Sequence, residues 1–346
     1  MNILGRPIGP GHPAYIIAEI SANHGQSLDT ALALVDAAHA AGADAVKLQT
    51  YTADTLTLDS DKPWFRIGGG TLWDGRTLHQ LYQEAFTPWE WHPRLQERAA
   101  SLGLHLFSSP FDFTAVDFLD SLGVPAYKIA SFELVDLPLI AKASATGKPL
   151  IMSTGMATVE EITEAVQAAR TAGARDIALL KCTSAYPARP EDIHLRTLAD
   201  MRERFGTIAG LSDHTPGSAV AVAAVALGAS IIEKHIIRRR SDGGPDAAFS
   251  MEPEEFAAMV GDIRTAEKAL GSIRYEISPQ EEASRAFRRS LFVTRPVRQG
   301  EAFTAENVRS IRPSNGLHPR HYEQVLAKKA ACDLEAGTPL ALEHLA

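Results

Sequence analysis

From residue 15 to about residue 270 one pattern recurs: a short apolar run, a polar loop, then a stretch with apolar positions at helical spacing. The runs are YIIAEI (15–20), AVKLQT (45–50), LHLFSSP (104–110), AYKIAS (126–131), PLIMST (149–154), IALLKCTS (177–184), TIAGLSD (207–213) and SIIEKHI (230–236). Helix-like segments such as 28–41, 159–172 and 253–270 lie between them. Strands alternating with helices predict a parallel sheet. Eight such units within about 255 residues match a (β/α)8 TIM barrel. An open doubly wound sheet is the competing architecture, but no run is followed by a glycine-rich dinucleotide turn.

Two stretches depart from the repeat. Residues 52–91 are too long for an ordinary βα loop; they carry Gly68-Gly69-Gly70 and the aromatics Trp64, Phe65, Trp73 and Tyr82. After Gly271 the repeat stops. Residues 272–285 read as a polar linker, and residues 286–346 as a small second domain of short strands and glycine turns, such as Arg298-Gln299-Gly300. The barrel domain is therefore assigned to residues 1–271.

Composition narrows the partners. The 346 residues carry a net charge of −8, which gives no basic field for nucleic acid. An anionic ligand would need local, buried cations. Only Cys182 and Cys332 are present, without metal-type spacing, so no disulfide framework is expected and the reducing cytosol is the expected compartment. The start, MNILGRPIGPGH, lacks signal-peptide features. The longest apolar run, 219–232, is too short to span a bilayer and reads as a buried helix running into a strand.

Catalytic groups of such barrels sit at the C-terminal ends of strands, and alternate strand residues point inward. By parity, Glu19, Lys47, Gln49, Lys128, Ser153, Ser212, His214, Glu233 and His235 face the interior near that end. A lone strand histidine is more often a hydrogen-bonded core residue than a ligand. Two at matching depth on adjacent strands bring the readings near even. His105 starts its strand, at the structural end, and is set aside. A buried lysine is costly without a counter-charge. Lys47 and Lys128, with hydroxyls from Ser109, Ser131, Ser153 and Ser212 nearby, suit a phosphate plus a carboxylate; the alternative is pairing with Glu19 or Glu133. Cys182 reads as core, having no thiolate-stabilising neighbour in sequence. The run Arg238-Arg239-Arg240 reads as solvated, though at the barrel mouth.

At these residues the chain resembles the N-acetylneuraminate synthase family, through AEISANHG (18–25), KLQT (47–50), YKIASFE (127–133), MSTGMA (152–157), GLSDHTPG (210–217) and EKHI (233–236). The C-terminal part resembles the antifreeze-protein-like (SAF) domain, including IRPSNGL (311–317). The insertion 71–93 and the loop 238–253 are similar to the family branch that uses a 2,4-diacetamido-2,4,6-trideoxy altrose sugar. Other amino sugars, or a non-catalytic sugar-binding protein, are the competing readings.

The resemblance implies a divalent ion, commonly Mn²⁺ with Mg²⁺ or Co²⁺ as substitutes, held by His214 and His235 and completed by water and substrate. It implies phosphoenolpyruvate on Lys47, Ser109, Lys128, Ser131, Ser153, Ser184 and Ser212. Ser184 stands where the family has an asparagine. The amino sugar would meet Glu19, Gln49, Tyr186, Glu233 and Asp246, with Glu19 also the candidate for moving the proton of a reacting water. Trp73 and Phe249 would wall a methyl group. Arg312 would reach in from the small domain of a partner, in a domain-swapped homodimer.

Overall fold

Eight parallel strands close into a barrel in chain order: β1 (Tyr15–Glu19), β2 (Ala45–Thr50), β3 (His105–Pro110), β4 (Tyr127–Ile129), β5 (Leu150–Ser153), β6 (Ile177–Cys182), β7 (Ile208–Asp213) and β8 (Ile231–His235). β8 pairs with β1, Ile231 opposite Tyr15 and His235 opposite Glu19, and this closes the ring. These coordinates are a computed structural model that describes residues 1–346. The strands fall where the apolar runs predict: β2 spans its whole run, and the other seven are one to three residues shorter. The trimmed ends turn over the C-terminal rim; after β4, Ser131–Glu133 already forms a 3-10 turn.

Eight helices follow the strands: α1 (Leu28–Ala40), α2 (His92–Ser101), α3 (Phe113–Ser121), α4 (Leu137–Ala145), α5 (Val159–Thr171), α6 (Thr197–Phe205), α7 (Ala219–Ala226) and α8 (Pro253–Leu270). Their starts are written locally. Thr158 accepts from the backbone N–H of Glu161, whose side chain reaches back to Thr158 N, a capping box that begins α5. Pro253 opens α8, where a missing N–H costs nothing. The run 219–232 divides into α7 and β8, as its pattern predicts.

Inside the barrel, Ile17, Phe107, Ile151, Leu180 and Ile231 belong to one fully buried cluster that fills the lower bore. Each contributes about 1.5–3 kcal/mol by leaving water. Gly210 has no room for a side chain: a Cβ there would lie 2.6 Å from both Leu180 Cδ2 and Ile231 O. Below the plug Tyr15 OH and His105 Nδ1 bond at 2.7 Å at the strand starts; the charged side chains of the bore lie above it.

The insertion after β2 is folded. It carries short helices Ala53–Leu56 and Leu78–Ala85, and Trp73 Nε1 donates to Pro245 O at 3.1 Å. The chain divides into two units, Met1–Gly271 and Ser272–Ala346. In the second, β9 (Ser290–Val293) pairs antiparallel with β10 (Val308–Ile311) over a core of Leu291, Val293, Phe303, Val308 and Val325. The 272–285 stretch is less uniform than a polar linker: Ser278 caps a helix at Pro279–Ser284, while Ile273 and Tyr275 are 94% and 97% exposed. No helix is long and apolar enough to cross a membrane.

Candidate active site

Above the apolar plug the inward positions of β1, β2, β3, β4, β5, β7 and β8 form one polar floor. Lys47 Nζ lies 2.7 Å from Glu19 Oε2 and 3.6 Å from Glu233 Oε1, and Lys128 Nζ lies 3.6 Å from that same Glu233 oxygen. Lys47 also donates to Ser109 Oγ at 3.4 Å and Lys128 to Ser153 Oγ at 2.7 Å. Gln49 Nε2 donates to Glu19 Oε1 at 3.2 Å, and Ser212 Oγ to Glu233 Oε1 at 3.0 Å. All but Gln49 are buried. Both lysines therefore have carboxylate partners within the protein, Glu19 and Glu233 and not Glu133, as in the pairing alternative to a pure anion site.

Two carboxyls compete for Lys47. Burial raises both, but Lys128, Lys47 and the Ser212 hydroxyl outweigh it at Glu233, which is held below its ordinary value. At Glu19 burial prevails over the nearby ammonium, helped by repulsion from Glu233, and the carboxyl rises to about 7. A second carboxyl, Glu133, is also pushed up to about 7 by burial, and its Oε2 has no hydrogen-bond partner.

Beside this floor the His214 and His235 rings face each other, centroids 5.4 Å apart. His214 Nδ1 lies 3.1 Å from Thr183 O. A carbonyl only accepts, so Nδ1 carries the proton and Nε2 is left available. Burial lowers His214, but Cys182, the Thr183 carbonyl and Glu233 outweigh it and leave it raised. His235 is held well below its ordinary value by burial and by nearby cations, so it is a neutral imidazole, and its buried Nδ1 has no partner. Asp246 Oδ2 is 3.9 Å away from that nitrogen, beyond hydrogen-bond reach. No third His, Cys, Asp or Glu completes a donor cluster with this pair. Two imidazoles with unused nitrogens, His235 lining a cavity, fit a cation whose remaining ligands come from water and substrate.

Cys182 is not simply core. Its Sγ lies 3.9 Å from His214 Nδ1; burial pushes the thiol up, but His214, Ser131 and Lys128 more than offset this and bring it to about 7. β6 and β7 supply this neighbour, 32 residues away in sequence.

A cavity of about 370 Å³ opens over the site, lined on its polar side by Gln49, Ser131, Glu133, Tyr186, His235 and Asp246. Leu56, Ile67, Leu78 and Leu81 of the insertion line its apolar side. Trp73 packs on Tyr186 at 5.9 Å, Tyr186 on His214 at 4.6 Å, and Phe249 on Tyr186 and His235 at 5.1 and 5.0 Å. At the rim of the floor Gly155 N donates to Ser131 Oγ at 3.1 Å. A Cβ on Gly155 would lie 2.2 Å from Ser184 Oγ and 2.8 Å from Ser131 Oγ, and Ser184 Oγ is buried without a partner. These three residues form a small cradle of hydroxyls and backbone N–H.

The geometry brings together Glu19, Lys47, Gln49, Ser109, Lys128, Ser131, Ser153, Ser184, Tyr186, Ser212, His214, Glu233, His235 and Asp246. Arg312 belongs to the second unit, where it shares a surface depression with Arg288 and Arg289 and has no ion-pair partner. The basic run at the mouth is a surface feature: Arg239 pairs with Asp242 and Arg240 with Glu255.

A model described as the NeuB family matches residues 34–275, and one for the SAF domain matches residues 288–346. The chain belongs to the NeuB family. This NeuB-family protein is 48% identical over 334 residues to the pseudaminic acid synthase of Helicobacter pylori, covering 96% of this chain and 98% of that one. It is 36% identical over 346 residues to the N,N'-diacetyllegionaminic acid synthase of Legionella pneumophila, covering 98% and 97%. Its fold matches the crystal structure of the N-acetylneuraminic acid (sialic acid) synthetase from Leptospira borgpetersenii with a TM-score of 0.73 at 30% identity, over 82% of this chain and 94% of that chain. The family resemblance carried by the strand-end motifs is therefore shown, as are the TIM barrel and the SAF domain, and the chain is an enzyme, a synthase.

Two contributors to the NeuB-family site, Tyr51 and Asn23, were not singled out from sequence, and Glu133 was named there only as a lysine partner. Glu133 and Tyr51 line the cavity. Asn23 donates from Nδ2 to Ile236 O at 2.9 Å and Ser250 Oγ at 2.8 Å, and Ser250 Oγ donates to Asp246 O at 2.7 Å. It thereby ties the β8 exit to the loop bearing Asp246. Each of the three stands within four residues of a predicted strand end, and that proximity is the signal that could have found them.

Proposed function

We propose that this enzyme is a pseudaminic acid synthase, a transferase that condenses phosphoenolpyruvate with 2,4-diacetamido-2,4,6-trideoxy-L-altrose and water to give pseudaminic acid and phosphate. The observation that carries this reading is the 46–48% identity to pseudaminic acid synthases over 94–96% of the chain, against 36% to a legionaminic acid synthase. The site supports it chemically. Two ammonium groups lie against Glu233, which is held below its ordinary value, and Glu19, which at about 7 is only partly ionised near neutral pH. The floor therefore has a cationic surplus for an anion with both phosphate and carboxylate groups, and the hydroxyls of Ser109, Ser131, Ser153, Ser184 and Ser212 donate around it.

In this reading C3 of phosphoenolpyruvate forms the new bond to the sugar aldehyde carbon. Water adds at C2, and the C2–O bond to phosphate then breaks. Lys47 and Lys128 hold the anion against the aldehyde. Glu19, hydrogen-bonded by Gln49 and raised to about 7, takes the proton of the attacking water near neutral pH. A divalent ion, Mn²⁺ in our assignment, would be held by His214 and His235 and, when bound, would supply Lewis acidity at the aldehyde oxygen. Tyr186 and Asp246 meet the sugar at the cavity wall.

The substrate is tested by competition between the diacetamido sugar and N-acetylmannosamine, with products read by mass spectrometry. Trp73, Phe249 and the apolar side of the cavity offer a C6 hydroxyl no partner. The expected preference in kcat/KM for the diacetamido sugar is about 10- to 100-fold. Equal or reversed values would reassign the enzyme to another amino sugar.

The cradle gives a second test. Gly155→Ala forces a methyl into the Ser131 and Ser184 hydroxyls, so KM for phosphoenolpyruvate should rise at least about tenfold, the cost of a lost or displaced charge-assisted hydrogen bond. The melting temperature should fall less than for a substitution in the plug, since the groups that must give way are two serine side chains at the rim and not backbone. An unchanged KM would remove the cradle from the anion site.

We also assign a domain-swapped homodimer. Phe132, which lines the cavity, and Val135 and Met156, on the loops after β4 and β5, are about three-fifths exposed, apolar surface suited to a cap.

A further inference from the structure

The ion pair of Asp213 with Lys234 has no part in the steps above. Both side chains are 0% exposed, and Lys234 Nζ lies 2.6 Å from Asp213 Oδ2. The two residues are directly opposite in the β7–β8 ladder. Since side chains alternate, Ser212, Glu233 and His235 face the bore, while Asp213 and Lys234 face the layer between barrel and helices. Lys234 Nζ also donates to Thr215 O and, at 3.3 Å, to Gly217 O. Asp213 Oδ1 accepts from Thr215 N at 2.9 Å and from Thr215 Oγ1 at 2.7 Å.

One ammonium thus gathers the end of β7 and the loop 213–217 around itself, and each of its three protons has an acceptor. His214 lies between Asp213 and Thr215, and His235 directly follows Lys234 on β8. Beyond Asp213 the chain has left the ladder, so no sheet hydrogen bond fixes His214; besides its bonds to Thr183 O and from Ala188 N, the wrapped loop on either side of it does. A buried ion pair is a weak stabiliser, because an apolar pair of similar volume often serves as well. What an apolar pair could not do is hold two carbonyls and a threonine in fixed directions.

We propose that Asp213 and Lys234 are positioning residues whose ion pair, behind the barrel wall, sets the His214 imidazole against the His235 imidazole and so sets the affinity of this pair for a divalent cation. The inference rests on the reading of these histidines as metal ligands.

Metal-stripped full-length protein is titrated with Mn²⁺, and fold is followed by circular dichroism and thermal melting. Lys234→Met and the apolar pair Asp213→Leu/Lys234→Met should bind Mn²⁺ about 10- to 100-fold more weakly, the range for loss of an outer partner of a metal ligand. Thr215→Val, which unhooks the loop from an intact pair, should weaken binding about threefold to tenfold. Thr50→Val is the control: it removes hydrogen bonds to His92 and Ser108 in the same layer and should leave Mn²⁺ affinity unchanged. Wild-type affinity in a folded ion-pair variant overturns the proposal. If neither ion-pair variant folds, Thr215→Val decides alone, and wild-type affinity there overturns it. Wild-type protein that binds no Mn²⁺ overturns the metal reading itself, and the inference with it.

Discussion

Alanine in place of His214 or His235 should abolish turnover and weaken Mn²⁺ binding while the barrel stays folded. The two rings lie side by side at the edge of the site, 5.4 Å between centroids, and each has a ring nitrogen that no protein group engages. Their structural duties are small. The His214 ring bonds Thr183 O and lies 3.9 Å from Cys182 Sγ, the carbonyl bond being worth about 1 kcal/mol, and the partner of His235 Nδ1 is absent from the protein itself. Loss of either ring therefore removes half of a ligand pair and one aromatic contact at the rim, from Tyr186 or Phe249, while the plug beneath stays intact. His24 provides the contrast: it is buried, Nε2 lies 3.2 Å from Thr87 Oγ1, and its Nδ1 accepts from Gln26 N at 3.1 Å. His24→Ala should lower the melting temperature and leave Mn²⁺ affinity intact. A chelator should inactivate the wild-type enzyme, with recovery on adding Mn²⁺. A His214→Ala/His235→Ala protein with full turnover and no bound metal would refute the assignment.

The comparison of those histidines shows where sequence reading reaches its limit. Period-two alternation and the run-loop-helix rhythm locate all eight strands, because each strand end is set by local chemistry: a turn, a cap, or the first residue that must reach water. Parity then assigns Glu19, Lys47, Lys128, Ser212 and Glu233 to the bore, since a strand cannot turn one side chain independently of its neighbours. Distances between strands are a different matter. Whether Lys128 pairs with Glu133, five residues on, or with Glu233, 105 residues on, depends on the stagger of the closed barrel, and the structure shows Glu233 at 3.6 Å. The nearness of Cys182 to His214 has the same origin. His24 and His214 look alike in sequence; one fills its hydrogen bonds from a neighbouring loop and helix start, and only the assembled fold distinguishes them. Residues Asp213 and Lys234 were hidden for the opposite reason. Parity turns them away from the bore, where a search for chemistry stops.

Mixed dimers of Glu19→Ala and Arg312→Ala chains should recover activity that neither variant has alone. The expectation follows from two surfaces described separately. On the barrel unit, Phe132 lines the cavity, and it, Val135 and Met156 on the loops after β4 and β5 are about three-fifths exposed. In the other unit, Arg312 stands at the exit of β10 with no carboxylate partner, next to Arg288 and Arg289, while Ile273 and Tyr275 expose their whole side chains in the connecting stretch. A rigid five-donor guanidinium suits an acetamido carbonyl or a carboxylate. Apolar side chains left in water are relieved by association at about 25 cal/mol per Å². If the small unit caps a partner's barrel, each active site takes Glu19 from one chain and Arg312 from the other. Co-unfolding and refolding the two variants gives a statistical mixture in which about half of the dimers are mixed. Each mixed dimer has one site with both residues intact and one with neither, so the mixture should regain about a quarter of the wild-type activity per site, as one such site exists in every two of half the dimers. Native mass spectrometry measures the mixed fraction, and activity should scale with it. Mixed dimers that form and stay inactive, beside a wild-type monomer that retains full turnover, would place Arg312 in its own chain's site and end the swapped arrangement.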